Sequence, residues 1–75
     1  MTIKLDTTGL LCPMPIIEVA KKMRKLKKGS ILEVWSDDPV IQVDLPAWCQ
    51  STGNQFIDKK KAGSTIVLHI KKETK

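Results

Sequence analysis

One thiol in this chain stands where sulfur chemistry is favoured. Cys12 sits in the run Gly9-Leu10-Leu11-Cys12-Pro13-Met14-Pro15, and a long amphipathic pattern starts just after it. That placement puts the thiol at the mouth of a helix, where partial positive charge and free N–H groups favour thiolate over thiol. A thiolate there can attack another sulfur or carry a transferred atom. Pro13 and Pro15 have no N–H, so among the first helical positions only Met14 and Ile16 can donate toward the sulfur. Pro15 also pushes Met14 away from ideal helical dihedrals. We expect a rigid turn that leaves the sulfur partly unclamped and open to a bulky partner. The helix end, not the basic side chains, should activate it. Lys21 is nine residues on, roughly 14 Å at about 1.5 Å per residue and beyond a Debye length of about 8 Å. The competing reading makes Cys12 a small buried apolar residue that happens to precede a helix, since free cysteines are among the most buried residue types. Cys49 lies beside Trp48 on an apolar helical face and reads as core, with a resolving thiol for Cys12 as the alternative.

The elements that must position Cys12 follow from periodicity. Residues 2–6 alternate Ile3 and Leu5 with polar neighbours, which predicts a short strand. Thr7 to Leu11 is the turn. Residues 13–28 carry Ile16, Ile17, Ala20, Met23 and Leu26 at helical spacing, with Pro13 as the first helical residue and Gly29 just past the end. Ile31 to Ser36 is a mostly apolar strand. Asp37-Asp38-Pro39 then supplies a cap and a starting proline for a second helix to about Thr52, with Ile41, Leu45, Trp48 and Cys49 on one face. Pro46 should bend or restart that helix. Residues 55–60 and 65–71 form a hairpin around Ala62-Gly63, with Ile66, Leu68 and Ile70 facing one way. The order β-α-β-α-β-β predicts an α/β (α+β) two-layer sandwich, a four-stranded mixed sheet with two helices on one face.

Bulk properties set bounds on function. Seventy-five residues make one small domain, 1–75, which buries only about 60% of the surface its unfolded chain exposes. A deep enclosed pocket has no room. Thirteen basic residues against eight acidic give a net charge of +5, a balance that suits acidic protein partners or RNA. The two cysteines are too few for a disulfide scaffold, and with the single His69 they cannot complete a four-ligand zinc site. We expect no metal and no organic cofactor. No signal-peptide pattern opens the sequence and no apolar stretch is long enough to span a bilayer, so the reading is a cytoplasmic protein with reduced thiols.

Other residues carry weaker signals. The basic run from Lys21 to Lys28 is first a solvated helix face, and its sharper reading is a patch that docks acidic partners. Asp37 and Asp38 read as a helix cap, and Asp6 as a turn hydrogen-bonding residue beside Cys12. Trp35 and Trp48 read as packing residues, and His69 as solvent-facing with no partner. With no Tyr and one Phe, an RNA-binding module would have little to stack bases on, so direct nucleic-acid binding is not expected. A thiol-redox regulator would more commonly pair closely spaced cysteines, which are absent.

Several of these pieces together resemble the TusA-like (SirA/YeeD-type) sulfur carriers. The matching residues are Leu5-Asp6-Thr7, Gly9-Leu10, Cys12-Pro13-Met14-Pro15, Gly29, Asp37-Asp38-Pro39, Asp44-Leu45-Pro46 with Trp48, and Gly53. They cover nearly the whole chain in family order. The resemblance implies a two-layer sandwich and a sulfurtransferase in which Cys12 accepts a sulfane sulfur as a persulfide. It also implies a donor such as a cysteine desulfurase or a rhodanese, and an acceptor such as a DsrE/TusD-type protein. Such relays end in tRNA thiolation, molybdenum-cofactor sulfur supply or sulfur oxidation. Two positions depart from the family pattern: Thr8 where many relatives carry a basic residue, and Asn54 where many carry His.

Overall fold

In a computed structural model, residues 2–11 and 13–73 are described. The elements run β1 (Thr2–Asp6), α1 (Met14–Arg24), β2 (Ile31–Ser36), α2 (Ile41–Thr52), β3 (Gln55–Ala62) and β4 (Thr65–Lys71). The sheet order is β1-β2-β4-β3. β1 lies parallel to β2, while β4 is antiparallel to both β2 and β3. Period-two alternation sets one face of each strand inward. Leu32 and Val34 of β2 and Ile66, Leu68 and Ile70 of β4 meet Val19 and Met23 of α1 and Ile41, Leu45 and Cys49 of α2 in one core. Both helices thus cover the same face, giving the expected two-layer α+β architecture.

α1 differs from the sequence expectation at both ends. Pro13 is its cap rather than its first residue, with φ −95° and ψ 10°, and Pro15 occupies the first turn. The helix stops at Arg24, not at residue 28. Its end is set by a distant residue. The Lys72 ammonium, 5% exposed, donates to the Met23 and Leu26 carbonyls at 2.5 and 2.6 Å. A cation on these last carbonyls meets their orphan acceptors and the negative end of the helix together. Gly29 turns the chain beyond, at φ +93°, and donates to the Lys72 carbonyl. The buried stripe is Pro15, Val19 and Met23, one step round from the expected face, so Ile17 is exposed.

α2 is continuous through Pro46. The proline removes the donor that would reach the Gln42 carbonyl, and Gln42 is only half-buried. Gly53 ends the helix in the left-handed conformation at φ +83°. Asn54 then donates to the Thr52 hydroxyl and accepts the Glu73 amide. It therefore ties the end of α2 to the residues that follow β4.

Candidate functional site

Cys12 itself lies outside the described residues, but the chain on both sides of it is fixed in detail. β1 ends at Asp6, and the buried Thr7 anchors the turn. Its amide and its hydroxyl both donate to the Trp35 carbonyl, at 2.7 and 2.6 Å. The Leu10 amide closes back onto the Thr7 carbonyl at 3.1 Å. Gly9 occupies the third position of that turn at φ +86°, a conformation for which glycine is the natural residue.

Two carboxylates hold the turn from outside. Asp6 Oδ1 accepts the Thr8 amide at 2.9 Å and the Thr8 hydroxyl at 2.7 Å, and these bonds lower the Asp6 pKa. The expected turn role of Asp6 is thereby met, and Thr8 acquires a definite task. Asp37 accepts the Gly9 amide at 3.1 and 3.2 Å through its two oxygens. The reading of Asp37 and Asp38 as a paired cap needs correction. Asp38 accepts the Val40 amide at 3.1 Å in the bend ahead of α2, whose cap is Val40 without a side-chain bond, so Pro39 precedes the helix, while Asp37 belongs to the turn that leads to Cys12.

Past the turn, Leu11 is 73% exposed and Pro13 and Met14 are exposed as well. The Leu11 carbonyl accepts the Met14 amide at 2.8 Å, and the Pro13 carbonyl accepts the Ile17 amide at 3.2 Å. The Met14 amide is therefore already engaged, contrary to the expectation that it donates toward the sulfur. The first turn of α1 holds no acidic residue and no side-chain cap. Its positive end is thus not offset by a carboxylate from its own helix.

A shallow cleft of about 450 Å³ opens beside Pro13, lined by Ile16 of α1 and by Asp44, Ala47, Trp48 and Ser51 of α2. Val40, just ahead of α2, and Val43, on its solvent side, are exposed, Val43 by 72%. Together with Leu11, Met14 and Ile17 they make this end of the molecule apolar.

The remaining candidates separate from the site. Cys49 is 1% exposed in the core, and burial pushes its thiol up to about 11. It packs as the sequence reading of a core residue predicts. His69 is corrected: its Nδ1 is 2.7 Å from Asp58 Oδ1 and its Nε2 is 3.8 Å from Glu33 Oε1, on the open face of the sheet. On that same face Lys4 stacks over the Trp35 ring at 4.0 Å. The basic run sits on and beyond the C-terminal half of α1, the end remote from Pro13. Among the described residues, no group of three or more His, Cys, Asp or Glu could hold a metal. No helix there is long and apolar enough to cross a membrane.

Sequence reasoning missed Asp37 and Lys72. Each acts on residues far away along the chain, with separations of 28 for Gly9–Asp37 and 49 for Met23–Lys72. No local pattern announces such a partner.

A strand, a clamped glycine turn and a proline-headed helix flank position 12 in the chain. Residues 3–72 match the family model described as Sulfurtransferase TusA. The sulfur carrier protein TusA of Allochromatium vinosum is 35% identical over 69 residues, covering 92% of this chain and 91% of that protein. The YrkF protein of Bacillus subtilis is 39% identical over 71 residues, covering 95% of this chain, yet the chain spans only 38% of its length. A SirA-like protein from Desulfitobacterium hafniense, known from its crystal structure, superposes with a TM-score of 0.83 at 24% identity, over 99% of this chain and 100% of that one. The chain belongs to the TusA sulfurtransferase family.

Proposed function

We propose that this chain is a sulfur carrier that holds sulfane sulfur as a persulfide on Cys12. The Cys12 thiolate attacks the outer sulfur of a donor persulfide. A new S–S bond forms at Cys12, and the donor leaves as its own thiolate. An acceptor thiolate then attacks the outer sulfur of the Cys12 persulfide and restores the Cys12 thiolate. Neither step needs an external oxidant or reductant, and no metal or organic cofactor takes part.

The observation that carries this reading is the doubly clamped turn. Asp6 and Asp37 hold the backbone just before position 12, and α1 begins just after it, between the exposed Leu11 and Pro13. A rigid, solvent-facing mount suits a sulfur that must meet one large protein and then another. Family membership adds the class of chemistry. In this reading residues 1–75 act as one TusA-like unit in the cytoplasm. The donor is a cysteine desulfurase or rhodanese-like protein, and the acceptor is of the DsrE/TusD type. The endpoint is tRNA thiolation, molybdenum-cofactor supply or sulfur oxidation.

The test is direct loading. With a cysteine desulfurase and cysteine, mass spectrometry should find one added sulfur that reductant removes, in the wild type and in Cys49→Ala but not in Cys12→Ala. An unchanged wild-type mass with an active donor, or equal gain by Cys12→Ala, overturns the proposal.

A further inference from the structure

The topology gathers a second feature at the end of the sheet where the Thr7–Leu11 turn lies. Asp6 is level with Trp35, Ser36 with Ile66, and Ile66 with Lys61. The tip of the β3–β4 hairpin therefore stands at the same end as the Thr7–Leu11 turn, on the opposite edge of the sheet. At about 4.8 Å per strand spacing, the two edges lie roughly 14 Å apart. Lys59, Lys60 and Lys61 run consecutively up to that tip, and all are exposed. None joins an ion pair among the described residues. Asp58, their acidic neighbour in the chain, is bonded to His69. Of the acids at this end, Asp6 is taken up by Thr8, Asp37 by Gly9, Asp38 is buried, and Asp44 lines the cleft beside Pro13.

We infer that the Lys59–Lys61 tip is a docking contact for the acidic surface of a sulfur-relay protein that is engaged at the same time with the apolar rim around position 12. The inference rests on the carrier reading above. Lysines on an edge strand also block unwanted strand pairing, but that task needs only spaced charges. Here three adjacent cations point to both faces of one edge and lack counter-ions. A standard interface buries about 800 Å² per partner, wide enough to cover both the turn and the tip. The apolar exposures at Leu11, Met14, Val40 and Val43 supply its dry part. The absence of tyrosine from the chain and of tryptophan from β3 and β4 favours a protein partner over RNA. The Lys21–Lys28 run, at the far end, would face away from a partner so placed.

The experiment measures the initial rate of Cys12 persulfide formation with two donors, a cysteine desulfurase with cysteine and inorganic polysulfide. It compares wild type, Lys59→Glu/Lys60→Glu/Lys61→Glu, the milder triple Lys→Gln variant at the same positions, and Lys22→Glu/Lys25→Glu. At low salt the glutamate triple should load about tenfold or more slowly from the enzyme, the span expected of lost steering. The glutamine triple should fall between it and wild type. The difference should close at about 1 M salt, where the Debye length is about 3 Å. Polysulfide loading should stay equal throughout, and the helix pair should load within about twofold of wild type at low salt, since no steering term is removed. Enzymatic loading that is unchanged in both triples overturns the inference and leaves the carrier reading intact, as does a loss confined to the helix pair. Unchanged loading with RNA retention lost in the triples assigns the lysines to nucleic acid and also overturns it. A wild type that loads from neither donor overturns the carrier reading, and this inference falls with it.

Discussion

Replacing Asp37 by alanine isolates the clamp between the β2–α2 connection and the turn that leads to Cys12. The variant removes the carboxylate that receives the Gly9 amide at 3.1 and 3.2 Å. Two nearly equal distances from one donor describe a single shared bond. A net hydrogen bond to a charged group is worth about 1.5–3 kcal/mol when shielded, and this one is solvent-exposed, so about 1 kcal/mol is the reasonable figure. For a domain of this size that loss lowers Tm by roughly 4–8 °C. Asp37→Asn keeps an acceptor oxygen and should recover at least half of the loss. Equilibrium urea denaturation gives the stability, and iodoacetamide kinetics at neutral pH report the readiness of the Cys12 thiol. Alkylation in Asp37→Ala should move toward the rate of an ordinary exposed thiol, and Asp37→Asn should restore it. If alanine leaves both stability and alkylation unchanged, or asparagine is as damaging as alanine, the clamp does not position the turn.

Two further outcomes test the frame around the site. The Cys49 thiol is raised from 9.0 to about 11 by burial, so between those values the folded state holds a proton that the unfolded chain has released. Its stabilising contribution is intact below pH 9 and disappears as pH rises toward 11, about 2–3 kcal/mol in all; urea titrations across that range should show the slope in wild type and a flatter one in Cys49→Ala. Lys72→Met keeps the aliphatic stem but strips the Met23 and Leu26 carbonyls of their donor, which should cost about 2 kcal/mol and speed amide exchange in the last turn of α1 more than in β2.

Much of this architecture is legible from local pattern, and the exceptions share one cause. Alternation and helical spacing report burial, and β1, β2 and β4 are set by burial, so their limits fall where the pattern places them, whereas α2 begins at Ile41 and not at the expected Pro39. The end of α1 is not set by burial. Leu26, Lys27 and Lys28 continue a good helical sequence, yet Lys72 takes the carbonyls that mark the close of the helix near Arg24. The inward stripe of α1 is displaced as well: Val19 is buried in the core while Ile17 is exposed. Near the site, the prolines that head α1 and Gly9 are readable because each has a local backbone signature. The bond from Gly9 to Asp37 is not, since only the folded sheet brings those loops side by side. His69 gains its carboxylate neighbours in the same way, across strands.

The parallel pairing of β1 with β2 has a practical corollary. Thr2 is level with Ile31, and Ile31 with Lys71, so the first and last strands begin and finish at one pole of the molecule, opposite the Thr7–Leu11 turn. Any polypeptide joined ahead of β1 or behind β4 departs from that pole, whether an affinity handle, a surface anchor or a neighbouring module in a longer protein. The pole that carries the Thr7–Leu11 turn and the start of α1 lies at the other end, so tethering from either side leaves that turn free of the attachment.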